Sequence, residues 1–316
     1  MAKLLKLMQN EWMKLWSKKA TWVMTFLLIA MIAGMLGLTK WMQTLNNIDE
    51  RDWKMDVQAE LTMTQEQLGN SALVASEREE LEGQQKVLEY RLANSVQPLE
   101  NSSRESMIMN SAGIGSIAVL LTVIVAAGIV ASEFTQGTIK MLLSRPVKRW
   151  RILTAKYVTV NLFGILLMLI GFAVSIICAY IFFSAGDGQE LVWNGKEVVT
   201  ASIWGKGLYM LLLSFANVFV TATFAFMIGS VFRSSSLAIG LSLFIYFTGS
   251  TVVLLLARYE IVKYIVFTHM DLTMYESGAM FVEGITMPFS LAVLAVYIVV
   301  FLVISYTTFI KRDITA

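Results

Sequence analysis

The sequence is poor in the residue types on which most enzyme chemistry depends. Its 316 residues include one cysteine, one histidine and three prolines, and 15% of them are charged, against about a quarter in soluble domains. With Cys178 alone, no intrachain disulfide can form, and its position inside an apolar run makes it a small packing residue. A single histidine, His269, leaves His-dyad proteases and HExxH metalloproteases without their residues. His269 and Asp271 together offer two ligands in a polar turn, which reads as ordinary hydrogen bonding and not as a metal site. No G-x-x-x-x-G-K-[ST] loop occurs, so the chain is expected to bind no nucleotide and to be no enzyme itself.

Apolar residues are abundant, at 56% of the chain. Six intervals carry no charge at all: 20–39, 106–132, 157–186, 207–232, 234–257 and 284–310. A bilayer core takes roughly 20 apolar residues per helix, and a charge at its centre costs about 2.5–3.5 kcal/mol on insertion scales. The expected fold is therefore an all-α polytopic membrane protein with spans at 20–39, 106–132, 157–186, 207–232, 237–257 and 284–310. Soluble enzymes, nucleic-acid binders and secreted disulfide scaffolds are excluded. The bilayer is the first partner.

Placing both termini in the cytoplasm leaves 1–19, 133–156, 233–236 and 311–316 inside. These segments carry 14 basic residues and only Glu11, Glu133 and Asp313 as acids, a net charge of +11. The outer segments then carry −9, so a bland overall +2 conceals two oppositely charged ends. The positive-inside rule favours this orientation in the cell membrane.

Between the spans, residues 1–19 form an amphipathic helix, with Leu4, Leu5, Met8, Trp12, Leu15 and Trp16 on one face and Lys3, Lys6, Asn10 and Lys14 opposite. Tryptophans opposed to lysines suit a helix lying in the headgroup layer. Segment 40–105 faces outward and predicts two or three amphipathic helices packed on each other or on a second copy. Ser102 with Glu105 reads as a capping box opening the second span. The outer loop 187–206 predicts a turn or small hairpin. Segment 258–283 includes Ile261–Phe267, too short to span and too apolar for a free loop, and is expected to be interfacial or re-entrant.

Inside the spans no acid occurs, which disfavours intramembrane aspartyl proteolysis and carboxylate proton relays. Asn161 opens the third span, and Asn217 and Thr221 share a face of the fourth, where they serve interhelical contacts or a polar pathway. Ala127-x-x-x-Ala131 and Gly128-x-x-x-Ser132 permit close helix approach at the end of the second.

Segment 133–156 is the most specific feature. It predicts a short helix over 137–144 with Ile139, Leu142 and Leu143 on one side, stopped by Pro146, which starts the next helix. Six cationic residues surround it. The pattern Glu133, Gly137-Thr138, Lys140, Leu142-Leu143, Arg145-Pro146-Val147, Arg149, Leu153 and Lys156 resembles the signature of permease subunits of type-2 ABC exporters. That family has six spans, cytoplasmic termini, an N-terminal interfacial helix, a coupling helix between spans two and three, and re-entrant helices between spans five and six. The long outer segment 40–105 departs from many of its members. The resemblance implies that 133–146 docks in a separate ATP-binding subunit, which holds ATP and Mg, and that two permease chains pair.

On that reading Leu142 and Leu143 supply buried contact, Lys140, Arg145 and Arg149 electrostatic register, and Glu133 a link to a cationic neighbour. Spans without charged residues suit a hydrophobic or amphipathic cargo: a drug, a lipid or an antimicrobial peptide. The 13 acids against 7 basic residues in 40–105 favour a cationic peptide. A different reading is a membrane sensor or scaffold whose segment 40–105 binds ligand without ATP coupling.

Overall fold

The computed structural model describes residues 2–45, 53–69, 75–111, 115–139, 141, 147–277, 282 and 284–311. The helices are α1 (Ala2–Trp16), α2 (Lys19–Leu45), α3 (Trp53–Leu68), α4 (Ala75–Asn94), α5 (Arg104–Met109), α6 (Gly115–Thr135) and α7 (Arg149–Phe182). After a hairpin of β1 (Leu191–Trp193) and β2 (Val198–Thr200) come α8 (Ile203–Val231), α9 (Ser235–Leu256), a 3-10 helix (Glu260–Tyr264), α10 (Val266–His269), α11 (Met274–Ser277) and α12 (Met287–Lys311). Six of these, α2, α6, α7, α8, α9 and α12, are long and apolar enough to cross a membrane. The chain is thus a predominantly helical, multi-pass membrane protein.

The helices do not stop where the charges start. At 34 residues α7 is about 51 Å long, well beyond a hydrocarbon core of about 30 Å. Its first two turns carry Arg149, Arg151 and Lys156 ahead of the charge-free run. The charge-free interval 106–132, by contrast, is not one helix. The short α5 ends at Met109, and α6 starts at Gly115. The cap of α5 also lies one residue later than the sequence pattern predicts. The Ser103 hydroxyl accepts from the Ser106 N–H, while Glu105 turns away to accept from the Gly186 N–H at 2.9 Å.

Two compact units make up the chain. The first comprises Met1–Ala30, Ile114–Gly171 and Leu211–Ala316. Its helices meet through missing side chains. A Cβ on Gly229 of α8 would lie 2.2 Å from the Ala127 carbonyl oxygen on α6, and one on Gly164 of α7 would meet Val218 at 2.6 Å and Thr122 at 2.9 Å. Ala126, Ala127, Val130 and Ala131 are fully enclosed there. With lipid outside as apolar as the core inside, such close backbone approach supplies the packing that holds spans together.

The second unit comprises Met31–Gly113 and Phe172–Met210. Helices α3 and α4 pack on each other, and the antiparallel β1–β2 hairpin lies on α4. Trp193 of β1 sits against Gly83, whose Cβ would be 3.1 Å from the indole, and the Lys86 ammonium stands 4.1 Å from the same ring. The hairpin turn uses Gly195 at φ +90°, with the Asn194 carboxamide oxygen accepting from the Lys196 and Glu197 N–H groups. Buried Arg91 donates to the Gln97 and Gln189 carbonyls at 3.2 and 2.8 Å, pinning two stretches that carry no regular structure.

Gly229→Ala should destabilise the protein by about 1–3 kcal/mol through overpacking against rigid backbone. Gly240→Ala, at a position with open space around it, should be neutral or slightly stabilising. Thermal unfolding in detergent micelles compares the two directly.

Candidate functional site

The densest chemistry in the described residues lies where the basic ends of three helices meet. Glu11 stands on α1, Glu133 in the last turn of α6 and Lys156 in the second turn of α7. All three are buried, at 5, 2 and 1% exposure. The Lys156 ammonium donates to Glu11 at 2.7 Å and to Glu133 at 2.8 Å. Glu133 also accepts from Lys14, which is partly exposed, and from the Thr138 hydroxyl. Two carboxylates and two ammonium groups therefore close a four-membered cluster linking α1, α6 and α7.

The local sequence explains each position. On α1, Glu11 lies at the edge of the apolar face, so the side chains that bury Leu15 carry Glu11 inward with it. The protein covers only part of that face. Leu5 remains 62% exposed, and Trp12 and Trp16 are half-buried. Trp16 packs edge-on against Trp22, with centroids 5.0 Å apart, and reaches Phe163 of α7 at 6.1 Å.

Glycine ends α6. Gly137 takes φ +69°, the left-handed conformation that usually closes a helix, and its N–H bonds back to the Phe134 carbonyl. That reversal brings Thr138 over Glu133 and buries Ile139, while Met141 stays 71% exposed. Among the residues picked from the sequence, Lys140, Leu142, Leu143, Arg145 and Pro146 lie outside the described residues. Arg149 opens α7 and donates to the Ile310 carbonyl at the end of α12. One turn on, the Thr154 hydroxyl meets that of Tyr306 at 2.6 Å. Thr135 donates to the Arg233 carbonyl and accepts from the Ser235 N–H, tying the end of α6 to the turn between α8 and α9.

The polar residues of the spans do not join this cluster. Asn161 donates to the Tyr157 carbonyl of its own helix, and Thr221 donates to the Asn217 carboxamide oxygen one turn away. Thr221 also reaches the Met270 sulfur at 3.9 Å, and Tyr157 of α7 bonds Thr223 of α8 at 2.8 Å. His269 lies at the opposite end of α12, fully buried among hydrogen-bond partners. Among the described residues no group of three or more His, Cys, Asp or Glu stands together to hold a metal.

Sequence reasoning did not single out Glu11, Lys14, Thr135, Thr154 or Tyr306. A signal existed for Glu11: it is the one acid in an otherwise basic segment, on the border of an apolar face. The hydroxyls carried none.

The cluster ties together groups from three helices. It is a joint that fixes three helix ends relative to one another. The fold and this joint define a multi-pass membrane protein with six helices long and apolar enough to span, in which Glu133 and Lys156, on the helices either side of one connection, are bonded to each other and to α1.

The chain belongs to the family described as "Protein of unknown function (DUF2705)", which matches residues 73–315. It is 34% identical to "Uncharacterized protein YhcI" of Bacillus subtilis (strain 168) over 319 residues, covering 98% of this chain and 99% of that protein. A second similar protein is "Uncharacterized membrane protein YdbK" of the same strain, 31% identical over 201 residues, 61% of this chain and 76% of that protein.

Lys156→Met leaves two carboxylates buried without their shared partner and should cost about 3–5 kcal/mol of stability. Combining it with Glu11→Gln and Glu133→Gln should recover most of that loss, because the buried charge is then gone. Denaturant titration of the single and triple variants in micelles reads both effects.

Proposed function

We propose that the chain is the transmembrane permease subunit of an ATP-driven exporter in the cell membrane, with both termini cytoplasmic. A separate ATP-binding subunit, carrying ATP and Mg, docks on residues 133–156, and a second permease chain completes the export path. The exported substrate is hydrophobic or amphipathic: a drug, a lipid or an antimicrobial peptide. The chain itself is non-catalytic.

The observation that carries this reading is the clamping of that turn. Glu133 on one flank and Lys156 on the other share one buried ion pair, and both bond to α1 or its lysine. Arg149 and Thr154 attach the second flank to α12, and Thr135 attaches the first to the α8–α9 turn. A force on that turn reaches helix ends that are bonded to one another. It moves helix ends as rigid bodies, which is what a subunit without chemistry needs in order to respond to ATP-driven closure of a partner. The resemblance of the 133–156 pattern to type-2 ABC permeases supplies the identity of that partner. Charge-free spans favour cargo that enters from the bilayer.

Co-expression with an ATP-binding subunit tests the docking. Leu142→Asp/Leu143→Asp should abolish co-purification of the ATP-binding subunit while the variant still reaches the membrane at the wild-type level. Capture at wild-type stoichiometry contradicts the docking site. If the unmodified chain captures no nucleotide-binding protein at all, the sensor reading of segment 40–105 replaces the transporter.

A further inference from the structure

The connection between α9 and α12 holds a second buried polar group, distant in sequence from the ion cluster. His269 and Ser290 are both fully enclosed. The His269 Nε2 lies 2.8 Å from the Lys263 carbonyl oxygen, which has no proton to give, so Nε2 carries the hydrogen. Nδ1 is then an acceptor, and it accepts a hydrogen bond from the Ser290 hydroxyl at 2.5 Å. With its only proton committed, the Ser290 oxygen accepts from the Tyr275 hydroxyl at 2.6 Å. Every proton in the chain Tyr275, Ser290, His269, Lys263 thus has one direction.

This chain fastens short pieces that have little else to hold them. The 3-10 helix, α10 and α11 are five, four and four residues long, far below the length at which a helix stands alone in water. They pack on a small core of Val253, Val262, Val282 and Ile285. Phe267 is seated on Gly249 of α9, where a Cβ would lie 2.4 Å from its ring. Ser290 stands in the first turn of α12, and Tyr297, two turns further on, donates to the Tyr264 carbonyl.

We propose that Tyr275, Ser290 and His269 form an acid-sensitive latch that holds the 260–277 segment on the head of α12 and releases it when His269 gains a proton from solvent. A proton on Nδ1 would point at the Ser290 hydroxyl hydrogen. Ser290 and Tyr275 must then both reverse, and a cation is left in an enclosed site.

The surroundings offer that cation little. On the 3-10 helix and just before it stand Lys263, Glu260, Tyr264, Tyr259 and Arg258, on the following turn Asp271, Tyr275 and Glu276, on α9 Tyr246 and on α12 Tyr297. Among the described residues no carboxylate pairs with the imidazole: Asp271 is exposed and accepts from Thr273. Glu283 lies outside the described residues. Burial lowers the His269 pKa below its ordinary 6.5, and the bond to the Lys263 carbonyl opposes this only in part. A histidine lowered on folding contributes its full stability above about pH 6.5. That stability is lost as pH falls from there towards the folded pKa. On the orientation that the charge count favours, the latch faces the outside medium. The latch stands independently of the transport reading.

Because the chain holds one histidine, its imidazole gives a unique NMR signal in selectively labelled full-length protein. The expected spectrum is a neutral Nε2–H tautomer at pH 7.5 that titrates below 6.5. Amide hydrogen exchange over residues 260–277, corrected for its intrinsic pH dependence, should accelerate several-fold, by about fivefold at most, between pH 6.5 and 5.5. In His269→Gln, whose carboxamide can keep both bonds, that acceleration should vanish. An imidazole titrating at or above 6.5 overturns the latch, as does corrected exchange that is indifferent to pH or equally accelerated in His269→Gln.

Discussion

Enclosing the Lys156 ammonium between two carboxylates is the constraint around which the basic end of this protein is arranged. An ammonium group taken out of water costs several kcal/mol unless it is paired and its protons are bonded. The two partners come from α1 and α6, so Lys156 can be satisfied only when both helices stand beside α7. The joint specifies one arrangement of three helix ends more than it adds net stability. The same geometry explains why Gly137 reverses the chain where it does: a residue confined to negative φ would carry Thr138 away from Glu133.

Small-residue packing extends this arrangement through the bilayer. Between helices surrounded by lipid there is little hydrophobic drive to associate, so contact must come from dispersion at close range. Gly229 over Ala127, and Gly164 between Val218 and Thr122, allow α6, α7 and α8 to approach at backbone distance. The final helix, α12, is bonded at both ends instead. Arg149 and Thr154 hold its last turns, and Ser290 and Tyr297 hold the short helices against its first half. A single rigid element therefore touches the 133–156 region at one end and the 260–277 segment at the other.

Much of this was legible in residue order. Six charge-free stretches announce six helices because a bilayer tolerates no unpaired charge, and the Trp–Lys segregation of residues 3–19 announces an amphipathic helix. The end of α5 at Met109 was not legible, since an uncharged run reads as continuous whether or not the helix does. Glu11 was obscured because hydropathy alone sends a carboxylate to solvent. Only the presence of Lys156, 145 residues later, makes its burial affordable. His269 was placed in a polar turn for a similar reason: the serine that satisfies it lies in a different helix, and sequence spacing carries no trace of their meeting.

The central claim is that an ATP-binding subunit engages the turn between α6 and α7. A photoreactive amino acid placed at Met141, which is 71% exposed on that turn, tests it in intact membranes. The account predicts a covalent adduct with a nucleotide-binding protein whose yield changes when ATP is added. Adducts with lipid alone, or with a protein lacking nucleotide-binding activity, would contradict it.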